Sequence, residues 1–387
     1  MVSLASASAR LIAPFLSRLA SGPPKEVLVL RLDRIGDVLM SLPALAALRA
    51  SIPDARIRLA VGAWSRDIAK DAPVDEVLVW SAPWVGRPDE GASSLFKLMG
   101  AARACRARRP DLAIDLQGDL RATWLMAATG ARSRVGYANT GSASLLTSIV
   151  ELDENVSFVE QNYRAIEAAL GHQAPRQRFQ WLDDDRRARG RDHLARLLAE
   201  GSVEKKGPIV GIHPGAGRSI KEWPMERFAE LGQRLMNEKG ATLLLTGSAG
   251  EAARTGAIRA RIRGAALDLA GRLDLREFAE VMSACDAFVS GDTSAMHFAC
   301  AIGVPSVAIF GPSDPGRYFS GGEDGFRSGG RHEAIAPAIW CGPCNLIRRP
   351  PAECDAAPVP ECLGLITTQM AFDATLDVLT RPAPEMT

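Results

Sequence analysis

A turn of Ser290, Gly291, Asp292 and Thr293 separates the apolar run Ala287 to Val289 from a helical run of small residues ending at Ile302. Glycine lets such a turn tighten, Asp292 or Thr293 can cap the helix, and the small Ser294 and Ala295 leave the first backbone N–H groups open. Those groups and the positive end of the helix dipole favour an anion, with a phosphate or diphosphate as the natural guest. A second acid, Asp37, follows Gly36 in the turn after the apolar run Val27 to Leu30. Gln117, Asp119 and Arg121 follow a third such run, Leu112 to Leu116. The glycine-rich loop PGAGRSIKEWP follows Pro208 to His213 and carries Gly215, Ala216, Gly217 and Lys221. Near the end of the chain Cys341, Cys344, Cys354 and Cys362 space as CxxC, nine residues, Cys, seven residues, Cys. Four thiolates can close a tetrahedral zinc or iron site, and free thiols or disulfides are the alternative in so proline-rich a segment.

The elements that must position these residues are short apolar strands alternating with helices. Val27 to Leu30, Arg56 to Val61, Val77 to Trp80, Leu112 to Leu116 and a run near Val135 read as strands. Helices are predicted after Gly36, over Ser94 to Arg108, Leu120 to Ala128 and Asn155 to Leu170, with Pro43 tolerable near a first turn or a kink. The charged segment from Trp181 to Pro208 supplies a solvated helix face and a linker. The same pattern then restarts with strands at Pro208 to His213, Ala241 to Thr246, Leu267 to Ala270, Ala287 to Val289 and Ser306 to Phe310. Such alternation implies parallel doubly wound sheets, whose ligands gather at the carboxyl ends of the strands. The expected architecture is α/β, two doubly wound Rossmann-like domains facing across a cleft.

With 387 residues, 46 Lys plus Arg against 45 Asp plus Glu, and 47% hydrophobic residues, the chain has no global field to attract nucleic acid. An anionic ligand must therefore be held by a local site. No run of 18 apolar residues predicts a membrane span. Residues 1–24 stand apart as a basic extension, with Arg10, Arg18 and no acid, and Leu11, Ile12, Phe15, Leu16 and Leu19 at helical spacing. The extension suits either an anionic membrane surface or a locally packed extra helix. Cys105, Cys285 and Cys300 sit in helical or apolar contexts and read as buried small residues.

Taken together and in order, RLDRIGDVLMSLPALAALR, IDLQGDLRAT, VGIHPGAGRSIKEWPMERFAEL, LLLTGSAGE, LAGRLDLREFAEVMSACDAFVSGDTSAMHFACAIGVPSVAIFGPSDP and CGPC resemble the heptosyltransferases of glycosyltransferase family 9 over roughly residues 25–370. The resemblance implies the GT-B fold. It places an acceptor domain over 25–185, a nucleotide-sugar domain over 186–366 with the Cys-rich segment 341–362, and a final helix in 367–387 packing back on the first domain. It implies an inverting, metal-independent transfer of a heptose, typically from ADP-heptose, to a lipid-linked anionic saccharide of the lipopolysaccharide inner core, at the cytoplasmic face of the membrane.

By the same resemblance Asp37 is the general base and Lys221 stabilises the leaving diphosphate. The donor side takes His213, Gly215, Ala216, Gly217, Lys221, Glu251, Asp292, Thr293, Ser294, Ala295 and His297, with Glu251 on the ribose hydroxyls and Asp292 on the sugar. The acceptor side takes Arg31, Arg34, Gln117 and Arg121, since guanidinium forks suit carboxylates and phosphates. Family members often carry glycine where this chain has Ser294. Some protein-modifying heptosyltransferases carry a four-cysteine metal finger, which makes a protein O-heptosyltransferase the rival enzyme. A non-catalytic nucleotide-sugar-binding protein is the other alternative, and it would have no need of Asp37, Lys221 and Asp292 together.

Overall fold

The computed structural model describes residues 22–85, 93–139, 141–176, 179–321, 331–347 and 349–381. Of the basic extension expected over 1–24, residues 1–21 lie outside the described residues. The chain divides into two compact units, one ending at Gln177 and the other beginning at Arg178. That division falls a few residues before the expected one, because the charged helix Asp184–Glu200 packs on the helix Leu275–Met282 of the second unit.

The first unit is a six-stranded sheet of β1 (Glu26–Arg31), β2 (Arg56–Val61), β3 (Glu76–Val79), β4 (Leu112–Asp115), β5 (Ser133–Tyr137) and β6 (Ser148–Val150). Their order is β3-β2-β1-β4-β5-β6 and every neighbouring pair is parallel. Val29 of the central β1 pairs with Leu59 on one side and Ile114 on the other. Val27 to Leu30 are fully buried, as a strand covered on both faces must be, and so they read as an unbroken apolar run. Strand β6 carries the exposed Ile149 and is too short to announce itself in the sequence. The longer helices are α1 (Ile35–Ser51), α2 (Leu95–Ala104), α3 (Leu120–Ala128) and α4 (Phe158–Leu170). Pro43 falls in the middle of α1 rather than in its first turn. A proline there cannot donate to the carbonyl four residues back and crowds that part of the helix; nearby, the carbonyl of Met40 accepts from Asn162 Nδ2 of α4 at 3.1 Å.

The second unit repeats the plan. Strands β7 (Ile209–His213), β8 (Thr242–Leu245), β9 (Ala266–Asp268), β10 (Ala287–Gly291), β11 (Ser306–Ile309) and β12 (His332–Ile335) are ordered β12-β11-β10-β7-β8-β9, again all parallel. Its longer helices are α5 (Asp184–Glu200), α6 (Met225–Lys239), α7 (Ala252–Arg261), α8 (Leu275–Met282), α9 (Ser294–Ile302) and α10 (Thr368–Thr380). Helix α10 packs on α6, β10, β11 and β12. Ala371, Phe372 and Val378 of α10 join Trp223 and Phe228 in one apolar core, and Trp223 Nε1 donates to the carbonyl of Ile366 at 2.9 Å. Among the described residues no helix is long and apolar enough to cross a membrane.

In both sheets the chain switches direction of winding beside the first strand, between β1 and β4 and between β7 and β10. Crevices at the carboxyl ends of strands flanking such a switch are the usual ligand sites of open α/β sheets.

Candidate active-site residues

At the end of β1 the chain turns through Leu32, Asp33 and Arg34 into α1. Asp37, in the first turn of that helix, accepts the backbone N–H of Arg34 on Oδ2 at 3.0 Å. The bond caps the helix, and the carboxylate still stays 30% exposed, so capping and proton acceptance are compatible there. Arg31 is buried. Its Nε donates to the Asp37 carbonyl at 3.1 Å, Nη1 donates to the carbonyl of Leu116, and Nη2 lies 3.6 Å from Asp37 Oδ1. A guanidinium so enclosed is not open to an acceptor saccharide, and Arg31 holds Asp37 instead.

Two further carboxyls that the sequence reading passed over belong to this cluster. Asp33 Oδ1 lies 3.3 Å from Arg31 Nε, and the Asp33 carbonyl accepts Trp64 Nε1–H at 2.6 Å. Burial pushes the Asp33 carboxyl up to about 7, with Arg31 pulling against it and Asp37 reinforcing the rise. Asp115, at the end of β4, is completely buried and raised to about 6 by that burial, against the pull of its hydrogen bonds. It accepts the N–H groups of Gln117 at 2.9 Å and Gly118 at 3.3 Å and the hydroxyl of Thr123 at 3.2 Å. Both acids stand at strand ends next to residues that were singled out, a position that was visible in the sequence although their enclosure was not.

The turn over Asp115 sets the angle of Gln117. Gly118 takes φ +75, and a Cβ there would meet Asn139 Oδ1 at 2.9 Å. Gln117 Oε1 is buried without a hydrogen-bond partner, which leaves it an acceptor for a ligand. Arg34 is exposed. Arg121 makes a two-point pair with Asp119, Nε to Oδ1 at 2.8 Å and Nη2 to Oδ2 at 2.6 Å, and its flat face lies 4.5 Å from the Trp84 ring centroid. Its orientation is thus fixed before any acceptor arrives.

In the second unit the loop after β7 makes a single tight turn, Ser219–Lys221, across the end of β10. Lys221 Nζ lies 2.6 Å from Asp292 Oδ2, with their side chains 18% and 6% exposed. Trp223 anchors the loop from within the core, edge-on to Phe228 at 4.8 Å. Asp292 stands at the mouth of α9, where Thr293 is the cap and its Oγ accepts the Ala295 N–H at 3.2 Å. A hydrogen bond therefore already engages Ala295, and the expectation of an open N–H there does not hold. His297 is also interior, its Nδ1 2.9 Å from Ser320 Oγ, so it braces the turn rather than facing a donor.

His213, Gly215 and Glu251 come together beside this pair. His213 Nδ1 lies 3.1 Å from Thr246 Oγ1, and burial pushes its imidazole down, against the raising effect of Glu251. Glu251 accepts from the backbone N–H and the hydroxyl of Ser248, both at 2.7 Å. Desolvation works to raise this carboxyl, but the Ser248 bonds, His213 and Arg254 outweigh it and hold it below its ordinary value. A Cβ on Gly215 would lie 1.8 Å from Glu251 Oε1, whereas one on Gly217 would meet nothing within 4 Å. Glycine at 215 is required by this close approach; Ala216 and Gly217 form the loop's open stretch.

The late cysteines are all free thiols. Cys344 Sγ lies 3.8 Å from the Pro312 carbonyl, and Cys354 and Cys362 are pushed up first by lost solvation and then by the neighbouring cysteines, Cys341 among them. Among the described residues no group of three or more His, Cys, Asp or Glu side chains is placed to hold a metal ion, so as placed these thiols do not fit one. Cys285 and Cys300 are buried as expected, and Cys105 nearly so.

Two parallel Rossmann-like units, each with polar residues at the switch in its sheet, have the architecture of the GT-B fold. Solved structures share the fold: Escherichia coli ADP-heptose lipopolysaccharide heptosyltransferase II (TM-score 0.69, 22% identity, 92% of this chain and 98% of that one) and a family 9 glycosyltransferase from Veillonella parvula (TM-score 0.73, 19% identity, 92% and 97%). The pattern of glycosyltransferase family 9 (heptosyltransferase) matches residues 99–325, and the chain belongs to that family. Lipopolysaccharide heptosyltransferase 2 of Salmonella typhimurium is 26% identical over 298 residues, covering 75% of this chain and 84% of that protein. Lipopolysaccharide heptosyltransferase 1 of Pseudomonas aeruginosa is 27% identical over 302 residues, covering 75% and 79%. The iron-containing dodecameric glycosyltransferase TibC of Escherichia coli is more distant, at TM-score 0.53 and 15% identity over 92% of this chain and 76% of that one.

Proposed function

We propose that this glycosyltransferase moves a heptose from ADP-heptose to the inner core of a growing lipopolysaccharide, with inversion at the anomeric carbon and without a metal. The carrying observation is the Lys221–Asp292 pair at the mouth of α9, a cation and a sugar-binding acid beside a helix start. The diphosphate takes the Lys221 ammonium and the backbone N–H of Ser294, the ribose hydroxyls donate to Glu251, and Asp292 accepts from the sugar. His213 and the loop Gly215 to Gly217 line the same strand end. Asp37 accepts the proton of the attacking acceptor hydroxyl, and charge developing on the departing diphosphate is met by Lys221. Arg34, Gln117 and Arg121 bind the acceptor, a lipid-linked anionic saccharide reached at the inner face of the cytoplasmic membrane. The names of the relatives support the sugar and the acceptor, and an Escherichia coli heptosyltransferase solved with ADP supports the nucleotide.

The test is a calorimetric and thermal-shift screen against ADP, UDP and GDP and their sugars without added metal, followed by transfer to inner-core acceptors. A nucleotide at a hundredfold excess over Kd should add about 2.7 kcal/mol of stability. A selective ADP response lost in Asp292→Ala, with heptosyl transfer, is the expected result; a preference for UDP or GDP overturns the donor. Stoichiometric iron or zinc found by elemental analysis after anaerobic purification would favour the protein O-heptosyltransferase reading.

A further inference from the structure

Arg31 is a single buried cation placed between two carboxylates that lie four residues apart. Its Nε is 3.3 Å from Asp33 Oδ1 and its Nη2 is 3.6 Å from Asp37 Oδ1. The same Nε donates to the main-chain carbonyl of Asp37 and Nη1 to that of Leu116, which holds the guanidinium in place between the two acids. Asp33 Oδ1 is itself buried and accepts no hydrogen bond, which leaves Arg31 as its compensating charge. The Trp64 indole Nε1–H donates to the Asp33 carbonyl at 2.6 Å and so ties the turn that carries this acid.

We propose that Asp33 is a positioning residue for the base: it competes with Asp37 for Arg31, and its protonation state sets how freely Asp37 accepts the acceptor's proton. The inference rests on the reading of Asp37 as base. When Asp33 carries its proton, the whole charge of Arg31 bears on Asp37 and holds it as a bound carboxylate. When Asp33 ionises, Arg31 is shared and a second negative charge faces Asp37, so proton uptake there becomes easier. Every element around the cluster contributes a charged or titratable group: Arg31 from β1, Asp33 from the turn, Asp37 from α1, Asp115 from β4 and Tyr137 from β5, with Arg164 of α4 acting on Tyr137. Tyr137 donates to the Gln161 carbonyl at 2.9 Å and is pushed up to about 12, chiefly by burial, so it stays neutral through the relevant range. Asp115 titrates lower than Asp33, at about 6 against about 7.

Two measurements test this on the full chain. In the wild-type protein with carboxyl-13C aspartate, the Asp37 resonance should show an inflection at the pH where Asp33 titrates. A resonance blind to that titration overturns the proposal, whether or not transfer has been detected. In kinetics, kcat/KM should rise on the order of tenfold between pH 6 and 8, since a neighbouring charge shifts such equilibria by about one pH unit or more. Asp33→Asn should abolish that rise and leave ADP affinity within about twofold, and Asp33→Glu should restore part of it. A merely structural role would lower activity equally at every pH, and a rise that persists in Asp33→Asn overturns the idea. Absence of transfer by the wild type would count against the heptosyltransferase reading, with the resonance coupling still deciding the role of Asp33.

Discussion

Around the end of β1 three carboxyls, Asp33, Asp37 and Asp115, surround one buried guanidinium, whereas at the end of β10 one carboxylate, Asp292, meets one ammonium. The second unit also buries the imidazoles of His297 and His332, the latter with Nδ1 2.8 Å from Ser306 Oγ, and half-buries that of His213. The strand orders are the same, so the difference comes from side chains alone. An excess of acid round one cation drives carboxyls to keep protons, which suits a place where a proton must be taken up. A matched pair sets a cation beside a helix start, which suits a leaving diphosphate. On the proposed function, the same scaffold serves proton chemistry in one unit and phosphate chemistry in the other.

The sharpest way to break this contrast is to remove one charge from each side. Asp37→Asn should lower kcat by about a thousandfold while ADP binding by calorimetry is unchanged, as loss of a general base demands. A loss of only a few-fold in a folded protein removes Asp37 from the chemistry. Lys221→Ala should lower kcat by about a hundredfold and weaken ADP binding as well, a double effect that a base would not show. It should also cost about 3 kcal/mol in a urea melt, because Asp292 is left buried without its cation.

Smaller effects sharpen the contrast. Gly215→Ala forces Glu251 aside, since the new Cβ would lie 1.8 Å from its carboxylate. Nucleotide affinity should drop about tenfold, one hydrogen-bonded charge being worth roughly that much. Affinity equal to wild type would detach Glu251 from the ribose. Finally, the two units should respond to pH in opposite directions. Asp33 and Asp115 are raised to about 7 and about 6, so the stability they contribute is fully present below the ordinary carboxylate value near 3.8 and is lost as pH rises through 6 to 7. His332 is lowered to about 3 by burial and Arg331, so its contribution is present above 6.5 and is lost as pH falls toward 3. Urea melts from pH 4 to 8 should show Asp115→Asn flattening the alkaline fall and His332→Gln flattening the acid one. The reverse assignment would mean that burial does not govern these groups.

Much of this arrangement was legible from residues alone, for reasons that differ by element. The central strands announced themselves because parallel strands covered on both faces must be apolar throughout, as in Val27 to Leu30 and Ala287 to Val289. Glycine turns marked the strand ends, and Asp37, Gln117, Lys221 and Asp292 were found there because chemistry concentrates at such ends. Strands β6 and β12 were missed: the first is only three residues, and the second lies beyond a long glycine-rich stretch. Asp33 and Asp115 were passed over because nothing in a residue's type says that it will be buried.

Sequence by itself determined the two parallel sheets, the turns at their switch points and the family to which they belong, since periodicity, glycine placement and ordered motifs are local properties. Tertiary structure alone decided which charges are enclosed and with whom. Arg31 reads as an acceptor-binding arginine until Leu116 and Asp37 close over it, Ala295 reads as an open donor until Thr293 takes its N–H, and the last helix finds its place through the core it shares with Trp223. Burial and pairing join residues far apart in the chain, and it is they that set the protonation of Asp33 and the partner of Lys221.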